Sequence, residues 1–159
     1  MIDYDDPTDA VRRRTGCRPF VAAAVLAGLA ATGPAGAAER IAGPVEATVE
    51  RVLDGDTLAV RAHIWLGQEV AVLVRIRGID TPELRGRCAA ERARAVEARA
   101  ALAEAVAGGP VVLSRIEPDK YGGRVLADVS AAGVSAVGHH MIAQGFARAY
   151  AGRSRGGWC

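Results

Sequence analysis

The chain has 159 residues, of which 50% are hydrophobic and only 4% aromatic, and it carries a formal net charge of +2. That length suits one domain with a real core and excludes two full-sized domains, and the core must use mainly small side chains. The charge is too small to indicate a polyanionic partner by itself. Arginine supplies all the basic residues except Lys120. This bias suits bidentate phosphate contacts, although a genome rich in G and C explains it equally well.

The first 38 residues are typical of an export signal. Arginines at positions 12, 13, 14 and 18 precede an apolar, alanine-rich stretch at 20–31. The small residues that follow predict cleavage after Ala37 or Ala38. The apolar stretch is shorter than the ~20 residues that a membrane-spanning helix needs, so we expect a cleaved signal. We therefore predict an exported protein, periplasmic or secreted, with residues 39–159 as its mature domain.

Strand-like and helix-like segments alternate along the mature chain. Strands are predicted at 46–53, 57–66, 70–77, 111–116 and 123–130, and helices at 88–107 and 134–144. The third strand gives the clearest signal, because Val74 and Ile76 alternate with Arg75 and Arg77 along it. The segment from Arg148 onward is rich in glycine and arginine and is predicted to be irregular.

This order of elements predicts an α+β fold. Five strands, with one helix between the third and fourth and another after the fifth, suit a five-stranded Greek-key β-barrel of the OB-fold type with two to three helices. The open face of such a barrel commonly binds nucleic acid. Closure of the barrel would also bring together segments that lie far apart in the sequence.

The cysteine count agrees with export. Cys17 precedes the apolar stretch and would leave with the signal, so the mature chain keeps Cys88 and Cys159. An even count in an oxidising compartment favours a disulfide. We predict that it ties the end of the sequence to the start of the long helix. Residues 153–158 are too rich in glycine to be held by packing, so this bond would be what orders them.

Three short charged segments carry most of the functional information. They are Asp54-Gly-Asp-Thr57, Arg75-Ile-Arg-Gly-Ile-Asp-Thr-Pro-Glu83 and Asp119-Lys-Tyr-Gly-Gly-Arg124. Each mixes turn residues with charge, and each interrupts or ends a strand-like run. Phosphodiester hydrolysis needs acidic residues that bind a hard cation and arginines that bind a phosphate. In order, spacing and residue type, the segments resemble the thermonuclease (staphylococcal nuclease-like) family over roughly residues 47–150.

The acidic positions suggest a metal site. Asp56 and Asp80 could offer carboxylate oxygens at the ends of neighbouring strands, and Ca²⁺ takes six to eight oxygen ligands. Either motif taken alone is equally an ordinary turn. The resemblance implies that Asp56, Asp80 and the Thr81 carbonyl hold Ca²⁺.

The resemblance also implies catalytic roles. Glu83 would be the general base, which either abstracts a proton from the attacking water or orders that water. Arg75 and Arg124 would neutralise the charge that builds on the phosphate oxygens. This chain has Gly122-Gly123 where the family pattern has one glycine. The extra residue either shifts Arg124 by one register or is absorbed as a β-bulge, and we expect the bulge. Arg77, on the same face as Arg75, is the backup candidate for phosphate contact, and its other interpretation, which we prefer, is a simple solvated charge.

The remaining positions concern the substrate. The resemblance implies that Lys120 and Tyr121 hold the terminal phosphate of a bound nucleotide. Tyr150 either stacks on a base, as aromatic residues do in single-strand sites, or packs on the rim of the barrel. We therefore expect a monomeric, Ca²⁺-dependent hydrolase, an endonuclease acting on single-stranded DNA and RNA. The alternative is a non-catalytic barrel that binds nucleic acid or a protein.

Overall fold

The computed structural model describes residues 39–159, so the predicted export signal and Cys17 lie outside the described residues. The elements in this part of the chain are β1 (Val45–Asp54), β2 (Thr57–Trp65), β3 (Gln68–Ile76), β4 (Ile79–Asp80), α1 (Ala89–Ala105), β5 (Val111–Pro118), β6 (Arg124–Ser130), α2 (Val137–Ala143) and β7 (Arg148–Ala149). Among these residues, no helix is long and apolar enough to cross a membrane.

Five strands close into a barrel in the order β1–β2–β3–β6–β5. β3 and β6 run parallel, with Leu73 opposite Arg124, while the other neighbours in the barrel are antiparallel. Pairing of Val45 with Leu113 joins the first strand to β5 and completes the closure. The predicted α+β barrel of the OB-fold type is therefore confirmed, with two α-helices in the described residues.

Small and branched aliphatic side chains fill the barrel. The residues with at most 1% exposure include Leu58, Val60, Val74, Ile76 and Leu113. Helix α1 adds Leu102 and Ala98 to the same cluster. Burying a side chain of the valine or leucine class contributes about 1.5–3 kcal/mol, so this cluster provides the main stabilisation of the fold.

The exposure of Val70 and the start of helix α2 differ from the sequence prediction for local reasons. Val70 is 43% exposed, although it shares the face of the buried Val74, because the β2–β3 hairpin extends beyond the packed part of the barrel. Helix α2 starts at Val137 and not at Val134, because Ala131 and Val134 exchange backbone hydrogen bonds of 2.9 and 3.0 Å in a tight turn. The turn leaves Val134 outside the helix.

The end of the chain is more ordered than its composition predicts. β7 pairs with β4, with Asp80 opposite Arg148, in a two-stranded ladder that the sequence analysis missed. A disulfide joins Cys88 to Cys159 across a Cα–Cα distance of 6.0 Å, as predicted. The expectation that packing would not hold residues 153–158 is wrong, because Trp158 is only 7% exposed. Residues 150–159 are called the tail below.

Candidate active site

One polar cleft of about 900 Å³ lies where the β1–β2 turn, the loop after β4, the β5–β6 connection and the tail meet. Of the residues singled out in the sequence, it is lined by Asp56, Arg75, Thr81, Glu83, Lys120, Tyr121, Arg124 and Tyr150. Asp80 is 4% exposed and reaches the cleft through its bond to Arg155, which also lines it. Closure of the barrel thus gathers the three charged segments around one space.

Asp56 is positioned by the β1–β2 turn. Its backbone N–H donates to Asp54 Oδ1 at 3.1 Å, and Thr57 Oγ1 donates to Asp56 Oδ1 at 2.9 Å. The turn fits tightly because Gly55 leaves no room for a side chain against helix α1 and Thr81. Burial raises the pKa of Asp56 to about 6, with the positive charge of Arg75 opposing the rise and Asp54 adding to it. A further cation beside this carboxylate would favour its charged form.

Arg75 is held in place before any ligand arrives. It lies opposite Thr57 in the β2–β3 pairing, which places it beside Asp56. Its guanidinium forms an ion pair with Asp56 and donates to the Ile79 carbonyl at 3.1 Å. The side chain is 16% exposed, so the surrounding residues restrict its rotamers. A fixed arginine at the wall of a cleft suits the stabilisation of developing negative charge.

Asp80, Thr81 and Glu83 all contact the same guanidinium, that of Arg155 in the tail. Asp80 Oδ1 accepts from Arg155 Nε at 2.6 Å, and the Thr81 carbonyl accepts from Nη2 at 3.1 Å. Glu83 forms an ion pair with Nη1. Burial lowers the pKa of Arg155, but the hydrogen bond with Glu83 and the negative charge of Asp80 outweigh this effect. The net result is a pKa above the ordinary value of arginine. Arg155 is not among the site residues predicted from the sequence.

The second oxygen of Asp80 also has a partner from the tail. Trp158 Nε1 donates to Asp80 Oδ2 at 3.0 Å, and the guanidinium of Arg148 lies 3.7 Å from the centroid of the indole ring. A buried carboxylate needs such partners, because leaving it unpaired costs several kcal/mol. The tail therefore supplies part of the environment of a predicted metal ligand.

Glu83 begins a loop that folds around a buried carboxylate, Glu91. The backbone N–H of Glu83 lies 3.4 Å from Glu91 Oε1, and that of Arg87 donates to Oε2 at 3.0 Å. Gly86 is required here, because a Cβ would overlap the Glu91 side chain. Cys88 is the N-cap of α1 and Glu91 its third residue, the spacing of a capping box. That spacing is a sequence signal by which Glu91 could have been found.

Arg124 reaches the cleft, but not by the route expected from the sequence. It begins β6, and its Nε and Nη2 contact Asp119 Oδ2 at 2.7 and 2.6 Å. The extra glycine lies in the β5–β6 connection, where Gly123 adopts a φ of +81°. The predicted bulge at that glycine is wrong: the register shift in this hairpin lies between Ser114 and Glu117, on β5.

The aromatic and basic residues around Arg124 form one side of the cleft. The Tyr121 ring centroid lies 5.0 Å from Lys120 Nζ and 5.4 Å from the Arg124 guanidinium. Tyr121 is 61% exposed, so its face is open to a ligand. Tyr150 lines the cleft and donates its hydroxyl to the Arg153 carbonyl at 2.5 Å.

Arg77 has a structural role in addition to lining the cleft. Its Nη1 donates to Glu117 at 2.7 Å, and its Nη2 lies 3.3 Å from the Leu126 carbonyl. The hydrogen bond from Arg77 lowers the pKa of Glu117. These contacts hold β3 to β5 and β6, so Arg77 is a weaker candidate for phosphate than Arg75.

The donor set suits a hard cation. Asp56, Asp80 and Glu83 offer carboxylate oxygens and Thr81 a carbonyl oxygen, without nitrogen or sulfur ligands. Asp80, the Thr81 carbonyl and Glu83 already contact one positively charged group, the guanidinium of Arg155. A metal cation would be attracted to the same oxygens. Oxygen-only sites of this kind are the ones that Ca²⁺ and Mg²⁺ prefer.

A closed OB-like barrel whose cleft combines carboxylates, arginines and an exposed tyrosine defines a nuclease-like protein. Residues 73–156, just over half of the chain, match the family described as staphylococcal nuclease homologue. The chain therefore belongs to this family. The matched segment contains every residue singled out for the site except Asp56, which lies on the β1–β2 turn ahead of it. A comparison with curated proteins found no significant match.

Proposed function

We propose that the protein is an exported nuclease that hydrolyses phosphodiester bonds of single-stranded DNA and RNA and uses Ca²⁺. The observation that carries this proposal is the convergence on one cleft of Asp56, Arg75, Glu83 and Arg124, which come from three separate segments of the sequence. A protein that only binds nucleic acid has no need of a carboxylate set beside fixed arginines. Members of a family of nuclease homologues are typically metal-dependent, which agrees with the oxygen-rich site.

The metal would be held by Asp56, Asp80 and the Thr81 carbonyl. When bound, the ion supplies positive charge that polarises a phosphate oxygen and lowers the pKa of nearby water. Asp56 and Asp80 are 3% and 4% exposed, so their charges act in surroundings that screen them weakly. Their burial also limits the number of positions that each carboxylate adopts.

The remaining residues divide the hydrolytic step among them. Glu83 takes the proton from the attacking water, whose oxygen bonds to phosphorus while the bond to the 5′-oxygen breaks. Arg75 and Arg124 contact the non-bridging oxygens, and the leaving oxygen takes a proton from solvent. The products carry a 3′-phosphate. Lys120 and Tyr121 hold a terminal phosphate.

Tyr150 lines the cleft at the edge of the tail, where its ring can stack on a base. Stacking of this kind tolerates any base, so it suits a nuclease without strong sequence preference. We infer that the protein acts as a monomer, because one chain supplies each group that the proposed step uses.

One assay tests the function. Single-stranded DNA, RNA and plasmid are incubated with the protein in CaCl₂ and then in excess EGTA, with Glu83→Gln as the control for contaminating nucleases. We expect hydrolysis that stops in EGTA and that the control lacks. Full activity in EGTA, or activity that appears only with Zn²⁺, would contradict the calcium assignment.

The second candidate is a barrel that binds nucleic acid without cleaving it. The pairing of Glu83 with Arg155 favours it, because the guanidinium occupies a carboxylate oxygen that an attacking water would otherwise contact. Retention of single-stranded DNA on the protein without cleavage in Ca²⁺, Mg²⁺ or Mn²⁺ would support this candidate over the nuclease.

Export is proposed on two grounds, the signal-like first 38 residues and the Cys88–Cys159 disulfide, which persists in oxidising compartments. Mass spectrometry of the periplasmic or secreted protein should find both cysteines linked and Cys17 absent. Retention of Cys17 would contradict removal of the signal.

A further inference from the structure

The tail lies across the candidate metal site and is fastened on both sides of it. At one end, Tyr150 donates its backbone N–H to the Gly78 carbonyl at 2.8 Å. At the other, Arg148 donates to the Gly157 carbonyl at 2.9 Å, and Cys159 is bonded to Cys88. Between these attachments the tail presents Arg155 to the site.

Arg155 makes three contacts, and every one is with a group that the proposed function uses. Asp80 and the Thr81 carbonyl are proposed metal ligands, and Glu83 is the proposed base. The guanidinium is planar and presents its donors in a fixed fork, so all three contacts form together. The arginine comes from 72 residues beyond Glu83, so local sequence does not account for the meeting.

We propose that Arg155 is a built-in competitor of the metal cation, so that the closed tail inhibits the site and the cation binds only when Arg155 moves away. This inference rests on the proposed function, because it takes Asp80 and Thr81 to be metal ligands and Glu83 to be the base.

Arg155 and a cation would compete for the same oxygens. Calcium lies 2.3–2.6 Å from its oxygen ligands. Arg155 Nε lies 2.6 Å from Asp80 Oδ1 and Nη2 lies 3.1 Å from the Thr81 carbonyl, so the guanidinium fills the space beside both oxygens. The two positive groups would also repel each other at such a distance. Release of Arg155 frees the ligands and the carboxylate of Glu83 together.

The disulfide determines how strongly the tail competes. Cys159 follows Arg155 by four residues, and Cys88 follows Glu83 by five, so the bond holds both sides of the contact near each other. A covalent tether of this length raises the effective concentration of Arg155 at Asp80. Gly152, with a φ of +81°, and Gly156 flank the arginine and provide the freedom for it to swing out. Reduction of the bond should therefore weaken the inhibition.

The test measures cation binding without nucleic acid. Isothermal titration of the full-length protein with CaCl₂ compares the wild type, Arg155→Gln, Arg155→Lys and the control Arg153→Gln, which removes the same charge two residues away. Arg153 makes no side-chain ion pair within the described residues. We expect Arg155→Gln to lower the Kd for Ca²⁺ about 10-fold or more relative to Arg153→Gln, because a closed state that is dominant reduces apparent affinity.

A second arm separates displacement from simple charge removal. Reduction of the disulfide in a Cys17→Ser background should lower the Kd of the protein that has Arg155, but leave the Kd of Arg155→Gln unchanged. Arg155→Lys keeps the charge without the fork and should give an intermediate Kd. It also serves if Arg155→Gln fails to fold, which a thermal melt of each variant checks. With Trp65→Phe, the fluorescence of Trp158 reports movement of the tail during the titration.

The outcomes are distinct. If Arg155→Gln binds Ca²⁺ no more tightly than Arg153→Gln while the wild type still hydrolyses DNA, the competition is wrong and the proposed function stands. If Arg155→Gln binds Ca²⁺ more tightly but no variant cleaves nucleic acid, the competition stands and the nuclease proposal fails. Absence of cation binding in every variant overturns both.

Discussion

Loss of the Cys88–Cys159 bond should lower the free energy of unfolding by about 4 kcal/mol. The bond joins residues 71 positions apart, and the entropy of closing a loop of that length in the unfolded chain gives this value in the chain-entropy model. The substitution to use is Cys88→Ser. Cys88 Sγ lies 3.4 Å from the Glu91 backbone N–H as the N-cap of α1, and serine keeps an acceptor there. The variant thus removes the cross-link and leaves the cap.

Urea unfolding in a Cys17→Ser background measures the effect. For a domain of about 120 residues, such as the described part of this chain, a loss of about 4 kcal/mol lowers Tm by roughly 15 °C in a parallel thermal melt. Cys88→Ala should cost about 1 kcal/mol more, because it also removes the cap. The reduced form of the parent protein should match Cys88→Ser. A loss below about 1 kcal/mol would refute the reasoning. It would mean that the tail detaches from the barrel once the bond is removed, so that the native state gains much of the same freedom as the unfolded chain.

Substitutions at three further positions test individual residues. Glu83→Gln should lower the rate of hydrolysis about 10²–10⁴-fold with little change in the Kd for a nucleotide, since Glu83 accepts a proton in the proposed step but contacts no phosphate; unchanged turnover would place the base elsewhere. Gly55→Ala should cost about 1–3 kcal/mol in urea unfolding, because a Cβ would lie 2.8 Å from that of Ala98 and 3.0 Å from that of Thr81; an unchanged midpoint would contradict the close packing. Glu91→Ala should cost about 1–3 kcal/mol, because two backbone N–H groups lose their acceptor, and Glu91→Gln should cost less. An equal loss of unfolding free energy in the two Glu91 variants would show that the side-chain oxygens do not stabilise the fold as hydrogen-bond acceptors.

The fold could be predicted from the sequence where its signals are local and repeated. The alternation that buries Val74 and Ile76 and turns Arg75 toward the cleft is a pattern within one strand, so it can be recognised without knowing which strands pair with it. The helical period of residues 88–107 likewise predicts α1 to within two residues at each end. Turn residues such as glycine and proline likewise predict most of the connections, because their signal is also local.

The structure of the tail could not be predicted, because its contacts join residues far apart in the sequence and the strands involved have only a few residues. β4 and β7 have two residues each, too few to show any periodicity. The bond from Arg155 to Asp80 spans 75 residues, and nothing near Arg155 in the sequence distinguishes it from Arg153. Only closure of the barrel and the disulfide decide which arginine reaches the carboxylates.

The proposed catalytic and metal-binding side chains of the cleft are paired with arginine or aspartate side chains in the described structure. The pairs are Asp56 with Arg75, Asp119 with Arg124, and Asp80 and Glu83 with Arg155. An arginine that leaves its carboxylate for a phosphate leaves a poorly hydrated negative charge behind, which is costly. A cation bound in the same event replaces the lost positive charge. Binding of phosphate and cation together is therefore favoured over binding of either alone, a coupling that suits a metal-dependent nuclease and that a simple nucleic-acid binder does not need.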